Sequence, residues 1–248
     1  MTRQFQSPRF AGDSVLESIL NDPDTGTVQL QSGSPAGSVT RVQQALFDLA
    51  WNLRVDPPVP DPTVFVDGSY GPVTTSAVLY YKIFYDIHFP PSAFGGAYDG
   101  LAGPRTLASL DYLMVLWDET VAAIMAKVAS LQGAGVTVQM TVSDAPDDRT
   151  LWHRGQSGGH HVATIDGTPG AILYKRGVGA FEVHGLISAT YKAAGGSKYF
   201  GYPTSDEYDD GAGFRRSDFE HGSLRLNVGT GAVELLGQAA TATYSVIF

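Results

Sequence analysis

Asp67-Gly68-Ser69-Tyr70-Gly71-Pro72-Val73-Thr74 is echoed by Asp99-Gly100-Leu101-Ala102-Gly103-Pro104-Arg105-Thr106, and the spacing is 32 residues at every match (67 to 99, 71 to 103, 74 to 106). In an Asp-Gly pair the glycine supplies a positive φ and the aspartate caps the turn. Gly-Pro then opens a helix, with proline at the first helical position, where its missing N–H costs little. Each octet thus predicts a turn that launches a helix. A second pattern, Gly170-Ala171-Ile172-Leu173-Tyr174 followed by Gly177, Gly179-Ala180, Glu182 and Gly185, returns 52 residues later (170 to 222, 182 to 234) as Gly222-Ser223-Leu224, Gly229, Gly231-Ala232, Glu234 and Gly237. Self-similarity at a fixed period marks small supersecondary units that bury a core by packing on each other. Two periods in one chain predict two modules.

Working outward, apolar spacing predicts a short helix over 14–20 with Asp13 or Ser14 as its cap. Further helices are expected over 39–51, 72–86, 104–110 and 118–131, the last closed by Gly133. The segment 56–62 holds four prolines and reads as a stiff exposed loop. After Gly133 the period changes to that of strands, expected at 136–142, 151–153, 161–165, 171–174, 181–183 and 223–227, with one helix over 185–194. The expected organisation is an α+β, two-module chain: an extension over 1–35, a helical domain over 36–116, a connecting helix over 117–135 and a β-rich repeat domain over 136–248.

Composition excludes several function classes. A net charge of −9 and a pI near 5.0, with only 16 Lys and Arg and no dense basic run, argue against a nucleic-acid partner. The lack of cysteine removes disulfides, thiolate zinc sites and cysteine catalysis. No stretch approaches the roughly 20 apolar residues of a membrane span. Residues 1–8 lack the apolar core of a signal peptide, so the expectation is a protein made in the cytoplasm that works outside the cell only through a non-standard export route or a lost leader.

Candidate chemistry is thin. His160-His161, with His153 and His184, invites a metal, but adjacent residues of a strand point to opposite faces and no His-Glu-x-x-His helix exists. There is no Gly-x-Ser-x-Gly elbow. Asp147-Asp148 and Asp209-Asp210 sit among turn formers and read as solvated loops. No catalytic, metal or cofactor residue is assigned.

Residues 36–111 resemble the peptidoglycan-binding-like three-helix domain through Val42-Gln43-Gln44-Ala45-Leu46, the two octets and Ala77-Val78. Ala50 stands where that family usually ends its first helix with glycine, and Tyr81-Lys82 replaces its Phe-Gln. Loops 55–62 and 88–97 look enlarged. Residues 170–237 resemble the LGFP repeat of cell-wall-associated actinobacterial proteins. The motif appears as Phe200-Gly201-Tyr202-Pro203, followed by Thr204-Ser205-Asp206-Glu207, Phe219-Glu220-His221-Gly222-Ser223-Leu224 and Gly231-Ala232-Val233-Glu234. Residues 5–17 are similar to the lead-in of peptidoglycan-binding-like proteins linked to extracellular contractile injection systems.

These resemblances imply a non-catalytic cell-envelope protein that binds peptidoglycan or cell-wall glycan. The alternative is a structural, accessory or cargo component of a phage-tail-like contractile injection particle, with protein subunits as partners. Tyrosine rings stack on sugar C–H faces and add a hydroxyl, which nominates Tyr70, Tyr81, Tyr98 and Tyr202 beside Thr74 and Thr106 of the octets. Tyr202, Asp206, Glu207 and Arg215 are the expected exposed positions of the second module.

Overall fold

Both octets fold as their chemistry dictates. The Asp67 carboxylate accepts the Ser69 N–H at 2.8 Å, and Asp99 accepts the Leu101 N–H at 3.0 Å, so each closes an Asx turn on the residue two positions on. Pro72 and Pro104 then begin helices. A side chain from the preceding helix clamps each turn. Gln43 donates to Asp67 at 2.8 Å and to Thr74 Oγ1 at 2.8 Å, and accepts the Gly68 N–H at 2.8 Å. Lys82, standing where the resembled family has glutamine, donates to Asp99 at 2.6 Å. The octets also touch: the Tyr70 hydroxyl donates to Gly100 O at 2.8 Å. A Cβ at Gly100 would lie 2.3 Å from Thr75 Cγ2, so only glycine lets the second turn seat there.

The structure is a computed structural model that describes residues 2–23, 28–88, 97–140 and 158–237. The chain divides into two compact units, 1–115 and 116–248. The first is helical, with α1 (Ser14–Leu20), α2 (Ala36–Asp48), a 3-10 turn (Trp51–Leu53), α3 (Pro62–Phe65), α4 (Pro72–Phe84) and the start of α5 (Pro104–Gly133). Asp13 caps α1, accepting from the N–H groups of Val15 and Leu16. The first 35 residues do more than extend the domain. Phe10 is fully buried against Phe5 with ring centroids 5.4 Å apart, and the Asp111 carboxylate accepts the N–H groups of Gln6 and Ser7 at 2.9 and 2.8 Å.

Two expectations are corrected. Pro62 belongs to α3 as its opening residue rather than to a loop. The helices expected over 104–110 and 118–131 are one 30-residue helix, because nothing between them breaks it: Leu113, Met114, Leu116 and Trp117 are buried, and no glycine or proline intervenes.

The second unit is β-rich. One antiparallel sheet runs in the order β1 (Val138–Met140), β2 (Gly158–Ile165), β3 (Thr168–Lys175), β4 (Gly179–His184). After α6 (Gly185–Ala193) and the single turn α7 (Ser197–Phe200) comes the other, β5 (Tyr208–Gly211), β6 (Phe214–Phe219), β7 (Gly222–Asn227), β8 (Val233–Leu236). The strand expected at 151–153 lies outside the described residues. Period 2 divides the first sheet. Ile172, Ala163 and Ile165 pack on Ile124, Val128 and Leu131 of α5, whereas α6 packs against β3 and β4. The 52-residue echo is not carried through in register. Ala171 faces Val183, but its counterpart Ser223 faces Leu236 rather than Leu235. That one-residue shift separates the two closing glutamates: Glu182 is buried and Glu234 is exposed.

The motif Phe200-Gly201-Tyr202-Pro203 locks α6 to the second sheet. Tyr191 of α6 stacks on Phe219 of β6 at 4.8 Å and 12°, and Phe200 joins them at 6.1 and 5.5 Å. The Tyr191 hydroxyl donates to Gly201 O at 2.9 Å. Gly201 has φ +72, and a Cβ there would lie 2.6 Å from Glu220 Cβ.

Two positive-φ positions therefore carry opposite expectations. Gly201→Ala adds a side chain to a left-handed and crowded site and lowers stability by about 2 kcal/mol or more. Ala50 sits at φ 58 directly after α2, where an L side chain is strained, so Ala50→Gly raises stability by about 1 kcal/mol. Urea midpoints of the two variants moving in opposite directions is the expected outcome; the same direction for both contradicts it.

Candidate functional site

The residues nominated in the first unit are spent on its core. Tyr81 is fully buried, its hydroxyl 2.6 Å from Ser109 Oγ and its ring packed on Trp51 and Tyr85. Tyr70, Thr74 and Thr106 are buried too, and burial pushes the Tyr70 hydroxyl pKa upward. Of this group only Tyr98 is exposed, with its hydroxyl donating to Asp86 at 2.6 Å. The octets are therefore structural joints, and the hydroxyls of Tyr70 and Thr74 are paired inside the fold.

In the second unit three nominated residues do converge. The Asp206 carboxylate accepts the Glu182 N–H at 3.1 Å and pairs with Lys127. The Glu182 carboxylate in turn accepts the Glu207 N–H at 3.0 Å. Glu207 is held by Arg215 Nε at 2.9 Å. His184 closes the set, its Nδ1 2.6 Å from Glu182 Oε2 and its Nε2 3.8 Å from Glu207 Oε2. The network thus ties β4, the 204–207 turn, β6 and α5 together. The expectation that Tyr202 and Glu207 are exposed is corrected: Tyr202 is 5% accessible and the Glu207 side chain 8%, because each is gripped from several elements. Glu182 and Lys127 were missed by sequence reasoning. The echo of Glu182 in Glu234 marked it as a repeat position but not as a buried charge.

On the opposite face of β2–β3–β4 from Glu182 lies a cleft of about 450 Å³, between that face and α6. Ala171, Leu173 and Val183 form its floor, Tyr191 and Tyr202 line it, and His160, Ser188, Lys192 and Ser197 bring polar groups. Tyr202 is positioned from behind. Its N–H donates to Glu220 at 2.8 Å, and the Lys175 ammonium lies 5.8 Å from its ring centroid. Burial would raise the Glu220 carboxyl, but Lys175 at 2.6 Å and the Tyr202 N–H hold it below its usual value.

His160 and His161 fall on opposite faces of β2, paired with Leu173 and Ile172 respectively. Among the described residues no group of three His, Cys, Asp or Glu side chains is arranged to hold a metal, and His153 and Asp147-Asp148 lie outside them. Asp209 and Asp210 are engaged locally, with the Gly211 N–H at 2.8 Å and Arg225 at 2.7 Å. No helix among the described residues is long and apolar enough to cross a membrane.

The hydrogen bond to Glu182 raises the His184 pKa against the opposing effect of burial, so the protonated ring favours the folded state. That stabilisation is complete below the unfolded value of about 6.5 and is lost as pH rises through the higher folded value. The stability difference between the native protein and His184→Gln is expected to shrink as pH rises from about 6 to about 9 in urea titrations. A difference independent of pH contradicts this.

None of the curated proteins compared matches the chain. The family comparison does find a match: residues 200–245, which hold the motif turn and β5, β6, β7 and β8, match the LGFP repeat.

Proposed function

We propose that this protein is a non-catalytic cell-envelope binder, acting on peptidoglycan or cell-wall glycan at the bacterial surface. The observation that carries the reading is the LGFP repeat over 200–245. Support comes from the first unit, whose Asp-Gly…Gly-Pro octets, α2, α4 and the start of α5 follow the pattern of the peptidoglycan-binding-like three-helix domain. On this reading the chain holds one wall-recognition module of each type. Two weak contacts to one polymer raise retention through effective concentration without either site being tight.

The chemistry of the described residues supports binding over turnover. Carboxylates near the motif are committed to ion pairs and backbone N–H groups. The His184–Glu182 pair orders a junction between strands and turn, with both partners fixed by neighbours.

A second reading follows from residues 5–17, which resemble the lead-in of proteins linked to contractile injection particles and are built into the first unit through Phe5, Phe10 and Leu16. There the modules dock protein subunits, since a fold does not dictate its partner.

Retention of the intact protein on purified actinobacterial cell walls is the expected result, in a sedimentation assay run beside a known wall binder and an inert protein. Recovery of all the protein in the supernatant, while the known binder pellets, would overturn the proposal. Co-purification with a sheath-and-tube particle from the native host would instead support the second reading.

A further inference from the structure

The cleft under α6 has a lining that separates two kinds of wall ligand. Among the described residues no Asp, Glu, Asn or Gln contributes to it. Sugar hydroxyls both donate and accept, and carboxylate and amide side chains are the groups that answer them in pairs. This lining offers donors instead: the exposed Lys192 ammonium at the mouth, with the hydroxyls of Ser188 and Ser197 beside it. In a chain of net charge −9, a cleft lined without acids and edged by an ammonium favours entry of an anion. The floor adds a second requirement. Ala171, Leu173 and Val183 make that floor aliphatic, a surface that suits small alkyl groups on the anion. The volume of about 450 Å³ falls within the usual span of small-ligand sites, about 300–1,000 Å³.

We propose that this cleft binds the free carboxylate end of a short peptide bearing methyl-sized side chains. Lys192 pairs with the carboxylate, the serine hydroxyls donate to it, and the methyl groups lie on Ala171, Leu173 and Val183. The assignment rests on the envelope-binding reading for its source, a peptidoglycan stem peptide. It deepens that reading by naming peptide rather than glycan as the ligand of the second unit.

The probes are N-acetyl-D-alanyl-D-alanine, its C-terminal amide and N-acetylglucosamine, each titrated into the full chain by calorimetry and by NMR. The acid is expected to bind and to shift resonances of Leu173, Val183 and Ser188, with the amide about tenfold weaker. Lys192→Gln, at an exposed position that leaves the fold intact, is expected to weaken the acid about tenfold and leave the amide unchanged. The proposal is overturned by equal affinity for acid and amide, by no binding of the acid at about 10 mM, by N-acetylglucosamine displacing the acid, or by an unaltered Lys192→Gln variant. The wall-sedimentation assay keeps the two ideas apart. Retention on walls without dipeptide binding removes the cleft assignment alone, and dipeptide binding without retention removes the envelope reading while the cleft chemistry stands.

Discussion

Glu220 can lie against the backbone at position 201 because no side chain is there. A Cβ at Gly201 would stand 2.6 Å from Glu220 Cβ, and the φ of +72 is itself one that other residues resist. From that approach the rest of the second unit follows. Glu220 accepts the Tyr202 N–H and pairs with Lys175, which in turn sits by the Tyr202 ring. Phe200 is thereby delivered to the Tyr191–Phe219 stack, and α6 is held between strands of both sheets. The cleft is the space left where α6 meets the first sheet, and Tyr202 is one of its walls. A single missing methyl group thus connects the motif to the site.

The first unit uses its repeated element differently. Each octet is an aspartate-capped turn, and each aspartate is gripped by a polar side chain of the preceding helix: Gln43 for Asp67 and Lys82 for Asp99. These polar groups answer one another inside the fold, as buried polar groups must. Recurrence of the octet therefore reports a repeated folding device. The Tyr70 and Thr74 hydroxyls are occupied, so a ligand-recognising surface on this unit has to come from elsewhere. The electrostatics of the second unit divide in the same way. Asp206, Glu207 and Glu182 are paired with Lys127, Arg215 and His184, and the cleft on the other face of the sheet from Glu182 has no acid among its described lining residues. Segregating the carboxylates into one satisfied network leaves that cleft able to accept an anion despite the net charge.

Much of the local architecture was legible in the chain. Asp-Gly and Gly-Pro located the starts of α4 and α5, the apolar spacing located α1 and α2, and alternation located β2, β3, β4 and β7. The failures have physical causes. The break expected after residue 110 is absent because Leu107, Leu110, Met114, Trp117, Ile124, Val128 and Leu131 are buried along one helical stripe that runs through 111–117. β5 and β6 went unread because Tyr208–Gly211 and Phe214–Phe219 are rich in charged residues, Arg216 pairing with Asp218 within β6 and Asp210 with Arg225 of β7. Site residues were the least legible. Tyr70, Tyr81 and Tyr202 share one residue type, and aromatic rings suit a core as well as a sugar.

Sequence alone determined where turns must form and which residues must be glycine or proline there, because backbone sterics act within a few neighbouring residues. It also determined the class of the C-terminal module, through a motif whose glycine is indispensable. Tertiary structure alone decided which polar residues are spent and which line a cleft. Burial and pairing depend on partners far apart in the chain, such as Lys127 with Asp206 and Tyr191 with Gly201. The one-residue difference in register between the paired hairpins shows the same division. Similar letters at a spacing of 52 place Glu182 in a buried network and leave Glu234 in water, because strand pairing, and not sequence position, sets which face a side chain takes.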